Sequence, residues 1–210
     1  MHIQSINIAQ AKTMTLGQRT VKTGIDKQPT FGAVIGLEGL EHDTISDRKN
    51  HGGPDQAVYV YGSDDYDYFA ERFDLDFSPG RFGENLTVAG LASPELRVGD
   101  RLSMGDVVLE VTAPRIPCGV FEKHMQQKAW LKSFIAAARP GVYCRVINTG
   151  EVSQDMPVTL STASEATVSI IELFHYYYQG KDKLSAETIA HILASPVAER
   201  VREMYEDVQQ

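Results

Sequence analysis

Up to about residue 165, glycine, proline and aspartate interrupt the chain so often that its apolar segments stay short. Such dense punctuation favours strands over long helices. Candidate strands fall at residues 3–9, 19–23, 33–37, 57–61, 85–88, 101–104, 107–112, 142–148 and 157–161. Several are separated by tight turns, as in Val98-Gly99-Asp100 and Met104-Gly105-Asp106, where glycine permits a positive φ. Many short strands joined this way suggest a barrel or sandwich.

Two helices are expected within this region. Ser63 can cap residues 64–72, which place Tyr66, Phe69, Ala70 and Phe73 on one side; residues 126–138 do the same with Ala129, Trp130, Phe134 and Ala137. Beyond residue 165 the character changes. Ser169 and Glu172 form a capping-box pattern ahead of residues 170–178, Ser185 can cap 186–193, and Ser195-Pro196 can open 197–208. Each helix is too short to be stable alone, so the three must pack on one another or on the strands. The expected organisation is therefore a mainly β domain over residues 1–165 and a small three-helix subdomain over 166–210. The row Tyr176-Tyr177-Tyr178 reads as core and interface packing, because consecutive helical residues point in different directions.

Charge and composition exclude several classes. No apolar run approaches the length of a membrane span, and the start Met1-His2-Ile3-Gln4-Ser5-Ile6 alternates like a strand rather than resembling a signal peptide. Two cysteines do not make a disulfide framework, which points to a reducing, cytoplasmic setting. A formal net charge of −8 opposes binding to nucleic acid. Yet Arg19, Lys22, Lys27, Arg48, Lys49, Arg81 and Arg115 lie near Gly-rich or Pro-rich loops, and a local basic pocket would suit a small anionic ligand.

Three loops carry candidate chemistry. In Ala113-Pro114-Arg115-Ile116-Pro117-Cys118-Gly119, two prolines stiffen the backbone beside a soft, ionisable sulfur and a permanent cation. A neighbouring cation favours the thiolate, the form that binds soft metals and acts as a nucleophile, so Cys118 reads as a metal or nucleophile site. Cys144, between Val142 and Val146 on one face of an alternating segment, reads as core. The loop His51-Gly52-Gly53-Pro54-Asp55-Gln56 offers His51 and Asp55 for metal binding or proton movement, or is simply a tight turn. In Pro79-Gly80-Arg81-Phe82-Gly83-Glu84-Asn85, Arg81 and backbone amides make an anion cradle, and Asn85 offers both donor and acceptor. Glu84 would pair with Arg81 or accept an amino group. Neither a Walker loop nor Gly-x-Gly-x-x-Gly is present, and no Cys-x-x-Cys pair or His-x-x-x-His helix supports zinc.

Four segments, Lys22-Thr23-Gly24-Ile25-Asp26-Lys27, His51-Gly52-Gly53-Pro54-Asp55, Phe82-Gly83-Glu84-Asn85-Leu86-Thr87 and Pro114-Arg115-Ile116-Pro117-Cys118, occur in the same order in MOSC domains, named for the molybdenum-cofactor sulfurase C-terminal domain. The chain resembles this family, and its helical tail resembles the appendage of the YiiM-like subgroup. The resemblance implies a MOSC-type β-barrel that binds the molybdenum cofactor (molybdopterin) and reduces N-hydroxylated bases or amides to amines. Cys118 would be the metal ligand and, with His51 and Asp55, part of the catalytic set. Lys22, Thr23, Arg81, Asn85 and Arg115 would line the pterin and its phosphate. Gln56 departs from the Lys or Arg of many members, which shifts phosphate binding onto Arg81, Arg115 and Lys22.

Cleaving an N–O bond takes two electrons and two protons, so the cofactor would do the redox work while a protonated His51 or a bound water supplies a proton. No flavin or nicotinamide site is visible, which implies an external electron donor, a reductase or haem protein. Three alternatives use the same residues: a sulfur carrier or transferase with a persulfide on Cys118, a metal-free cysteine hydrolase or transferase built from Cys118, His51 and Asp55, and a non-catalytic binding module. The aromatic-rich tail makes a homodimer a reasonable expectation.

Overall fold

In the computed structural model, which describes residues 1–74 and 77–206, most of the short segments expected as strands form strands. The strands are β1 (His2–Ile8), β2 (Lys12–Leu16), β3 (Arg19–Thr23), β4 (Gln28–Thr30), β5 (Gly32–Gly36), β6 (Gly39–Leu40), β7 (Val58–Gly62), β8 (Leu86–Ala89), β9 (Arg101–Met104), β10 (Val107–Pro114), β11 (Val142–Asn148), β12 (Gly150–Ser153) and β13 (Thr159–Ser161). The helices are α1 (Arg48–His51), α2 (Ser63–Phe73), α3 (Gly119–Met125), α4 (Trp130–Ala137), α5 (Ile170–Gln179), α6 (Ala186–Ala194) and α7 (Glu199–Glu206).

Eight strands form one mixed sheet in the order β13-β9-β10-β11-β7-β8-β1-β4, flanked by a three-stranded sheet β12-β5-β6 and the hairpin β2-β3. The expected barrel is corrected: the ladder does not close. Only a bridge between His2 and Pro157 and a few backbone bonds, such as Ile3 N–H to the Met156 carbonyl at 2.9 Å, draw β1 toward the run leading into β13. Pro157 has no N–H and Asp155 sits at φ 64°, so pairing cannot propagate across this seam. The same proline delays the last strand to Thr159.

Strand β7 pairs in parallel with β8 through a crossover that contains α2. Buried on both faces, β7 divides its side chains between two cores. Val58 and Val60 join the aliphatic cluster that includes Leu109, Val111 and, from the C-terminal helices, Leu173, Ile189 and Ile192. Tyr59 and Tyr61 face an aromatic cluster of Phe69, Phe82, Phe121, Trp130 and Phe134. Period-two alternation on one strand thus holds the site's floor between two packed layers.

Several local expectations are corrected. The helix expected over 126–138 is shortened to α4, because Gln126 and Ala129 take φ values of 56° and 58°, and α3, which precedes that span, was not expected. Ser63 begins α2 rather than capping it, since Gly62 is the cap residue and makes no side-chain bond. Ser195 serves as a brace, accepting from Val168 N and donating to the His191 carbonyl, while α7 begins later, at Glu199. Val208, assigned to that last helix from sequence, lies outside the described residues. The capping box of Ser169 and Glu172 is formed. No helix among the described residues is long and apolar enough to cross a membrane.

Candidate functional site

Strand β10 ends at Pro114 and delivers Arg115 and then Cys118 to the edge of a cleft, where Cys118 occupies the position just before α3. From the opposite side, β3 and the following turn bring Lys22, Thr23 and Gly24, and the loop before α1 brings Thr44 to Asp47. A side-chain carbon on Gly24 would stand 2.0 Å from the Thr44 carbonyl oxygen, so only glycine lets these two segments meet. The cavity they enclose measures about 240 Å³ and is also lined by His51, Gln56, Asn85 and Tyr143.

Arg115 is the site's least ordinary residue. Its side chain is 4% exposed, its guanidinium lies 4.0 Å from the Phe121 ring centre and 5.4 Å from that of Tyr59, and Nη1 has no hydrogen-bond partner. The aromatic faces offset part of the cost of burying the charge, but an unpartnered buried donor is expensive and asks for an acceptor. Lys22, exposed at the rim, has no ion-pair partner among the described residues. Cys118 is half-buried beside them.

His51 shares Nδ1 with the Tyr143 hydroxyl at 3.0 Å. Burial pushes its pKa down to about 4, helped by the charges of Arg115 and Arg200 and opposed by Asp47. The imidazole is therefore neutral near pH 7, which corrects the expectation of a protonated His51 as the standing acid. Burial likewise raises the Tyr143 phenol to about 12.

Three residues expected at the site are occupied elsewhere. Asp55 Oδ1 forms an ion pair with Arg145, 2.9 Å from Nε but out of line for a hydrogen bond, and Oδ2 accepts from the Glu199 N–H at 2.8 Å, so Asp55 fastens α7 to the sheet and is not a cleft residue. Arg81 donates to the His124 carbonyl at 3.1 Å and closes the end of α3, also outside the cleft. Asn85 lines the cavity, but its amide accepts from Tyr59 N and donates to Asp43, leaving it a brace. Nor does Glu84 pair with Arg81; it is fully buried and accepts from Tyr66, Gly80, Phe82 and Thr87.

Sequence reasoning missed the structural pair Lys27–Asp43. Lys27 Nζ lies 2.6 Å from the Asp43 carboxylate, both almost wholly buried, and Asp43 in turn holds Asn85 and the Ala9 N–H. Burial lowers the Lys27 pKa against the pull of Asp43. Their separation by sixteen residues gave no local signal. Gln56 is also buried at the cavity, and Tyr143 was not singled out because alternation marks it only as a strand residue.

No group of three or more His, Cys, Asp or Glu side chains among the described residues could hold a bare metal ion. Cysteine, histidine and aspartate also do not assemble as a triad, because Asp55 is held by Arg145 and Glu199 and no hydrogen bond joins Cys118 to His51. The geometry thus defines a class: a cleft with a buried guanidinium, one of whose nitrogens has no partner, beside a half-buried sulfur.

The MOSC domain matches residues 47–159, more than half of the chain, which therefore belongs to that family and is related to YiiM. It is 34% identical over 80% of its length to the uncharacterized protein YflK of Bacillus subtilis (strain 168), covering 76% of that protein. It is 35% identical to protein YiiM of Escherichia coli (strain K12), with 62% of this chain and 60% of that one aligned. A protein named reductase from Gibberella moniliformis is 34% identical over 63% of this chain, which spans only 24% of that protein. The crystal structure of YiiM from Geobacillus stearothermophilus superposes with a TM-score of 0.78 at 28% identity, covering 98% of this chain and 97% of that one.

Proposed function

We propose that this protein is a molybdenum-cofactor-dependent reductase that converts N-hydroxylated bases or amides to amines. The observation that carries the reading is one half-buried sulfur beside a buried guanidinium with an unpartnered Nη1, with no cluster of three or more His, Cys, Asp or Glu among the described residues to hold a bare metal ion. A site with one sulfur donor suits a metal that arrives already chelated by an organic group, and the free guanidinium suits that group's anionic end. The relative named reductase and the kinship with YiiM support the same reading.

In this reading Cys118 would ligate the metal, Arg115 and Lys22 would take the anionic groups, and Thr23 would line the wall. When bound, the cofactor supplies two-electron redox chemistry that no side chain can perform. The overall reaction breaks the N–O bond, takes up two electrons from an external reductase or haem protein and two protons, and releases the amine and water. His51 holds its single proton on a neutral ring and shares Nδ1 with Tyr143. The pair therefore acts as a relay that passes a proton inward and recovers it from solvent.

Protein purified from cells that make the cofactor should contain near-stoichiometric molybdenum and reduce an N-hydroxylated purine with a chemical reductant. Cys118→Ala should lose both metal and activity. A labile extra sulfur on Cys118 with no molybdenum would instead establish the sulfur-carrier reading.

A further inference from the structure

The cleft has a second lobe that Arg115, Lys22 and Thr23 do not line. A cavity of about 210 Å³ lies on the far side of Cys118 and His51, and its outer wall comes from the C-terminal helices: Tyr177 on α5 and Arg200 on α7, facing Asn50, Ile116 and Pro117. Cys118, His51, Gln56 and Tyr143 line both cavities, so the reactive sulfur stands at their junction.

The chemistry of this wall is specific. Arg200 donates through Nη1 to the Asn50 carbonyl at 2.5 Å and has no carboxylate partner among the described residues. The lobe's one acid, Asp47, already accepts from the backbone N–H and side-chain amide of Asn50. Arg200 and His51 line the same lobe. Arg200 thus keeps donors free of any direct carboxylate contact, and it shares the lobe with one acid, Asp47, whose oxygens are turned toward Asn50. Tyr177 is 36% exposed and lines the lobe with an aromatic side chain, and Ile116 and Pro117 supply an apolar surface.

Resting on the reductase reading, we infer that this lobe is the substrate subsite and that it selects planar N-hydroxylated compounds bearing an anionic group. Tyr177 packs on the ring, Arg200 binds the anion, and the N–OH end points to the junction at Cys118. The residues that set substrate preference therefore come from the helical tail, outside the segment that matches the MOSC domain.

Binding can be read without turnover. The probes are N-hydroxybenzamidine and its para-carboxylate, titrated calorimetrically into the full chain. The carboxylate should bind roughly tenfold more tightly than the parent, as one charge-assisted hydrogen bond allows. Arg200→Gln should erase that preference while leaving the parent's affinity unchanged, Arg200→Lys should keep part of it, and Tyr177→Ala should weaken both probes. A preference that survives in Arg200→Gln, that disappears in Lys22→Gln instead, or that is absent from the wild type would overturn the inference. Molybdenum content of the same preparations separates the two readings: a metal-free wild type that still shows the Arg200-dependent preference refutes the reductase and leaves the subsite standing.

Discussion

At the residue scale, Arg115 and His51 make opposite uses of burial. Arg115 keeps its charge in a nearly dry setting with one nitrogen unpartnered. Replacing it by methionine keeps the packing on Phe121 and Tyr59 but removes the anion's partner. Arg115→Met should therefore lower molybdenum retention roughly tenfold or more while leaving the cofactor-free protein as stable or more so, to be read as metal per chain and as melting temperature. His51, by contrast, gives up its charge. Its folded pKa of about 4 lies below the ordinary value of 6.5, so between those values the unfolded chain binds the extra proton and stability falls as pH falls. The loss should reach on the order of 2–3 kcal/mol by pH 4 and be absent above pH 7; the difference in melting temperature between wild type and His51→Gln across this window checks it. Cys118 and Arg115 were legible in the sequence because charge and sulfur are three residues apart in a proline-stiffened loop. Asp55 and Arg81 lie outside the cleft, and Asn85 lines it with its amide already engaged, because a turn residue's neighbours in space come from distant segments, here Glu199, α3 and Asp43.

At the scale of elements, the cleft depends on two junctions. The β3 turn meets the loop before α1 at Gly24, and Gly24→Ala forces its new carbon against the Thr44 carbonyl. That substitution should open the cavity and lower cofactor retention with a fold still visible by circular dichroism. The second junction is Asp55, whose carboxylate sits at the start of α7 and binds Arg145. Asp55→Ala should cost about 1–3 kcal/mol and accelerate amide exchange in α7 well before it does so in β10 or β11, as mass-resolved hydrogen exchange would detect. Strand positions were readable from alternation and turn glycines. The short pieces β4, β6, β12 and α1 were not, because two to four residues carry too little periodicity to stand out, and β2 and α3, of five and seven residues, were missed as well. The break between α3 and α4 was hidden for another reason: a glutamine and an alanine take the left-handed conformation there, with no glycine to announce it.

At the scale of the whole molecule, the aliphatic core runs without interruption from β10 and β11 into α5, α6 and α7. The C-terminal helices and the sheet should therefore unfold in one calorimetric transition, and a chain ending at residue 165 should expose that core and fail to fold stably. Two resolved transitions would mark the helices as an independent unit. The sheet's open seam belongs to this scale as well. A strand count suggested closure, but whether the edges meet depends on one proline and one left-handed aspartate that alternation does not register.

The unpartnered guanidinium has a consequence for the protein's life in the cell. Folding without its ligand leaves a bare charge under aromatic rings, so occupancy by an anion should raise the barrier to global opening and slow degradation. In a host unable to make the cofactor, the chain should have a shorter half-life than in a competent one. Arg115→Met should abolish the difference, so steady-state abundance would follow cofactor supply with no dedicated regulator.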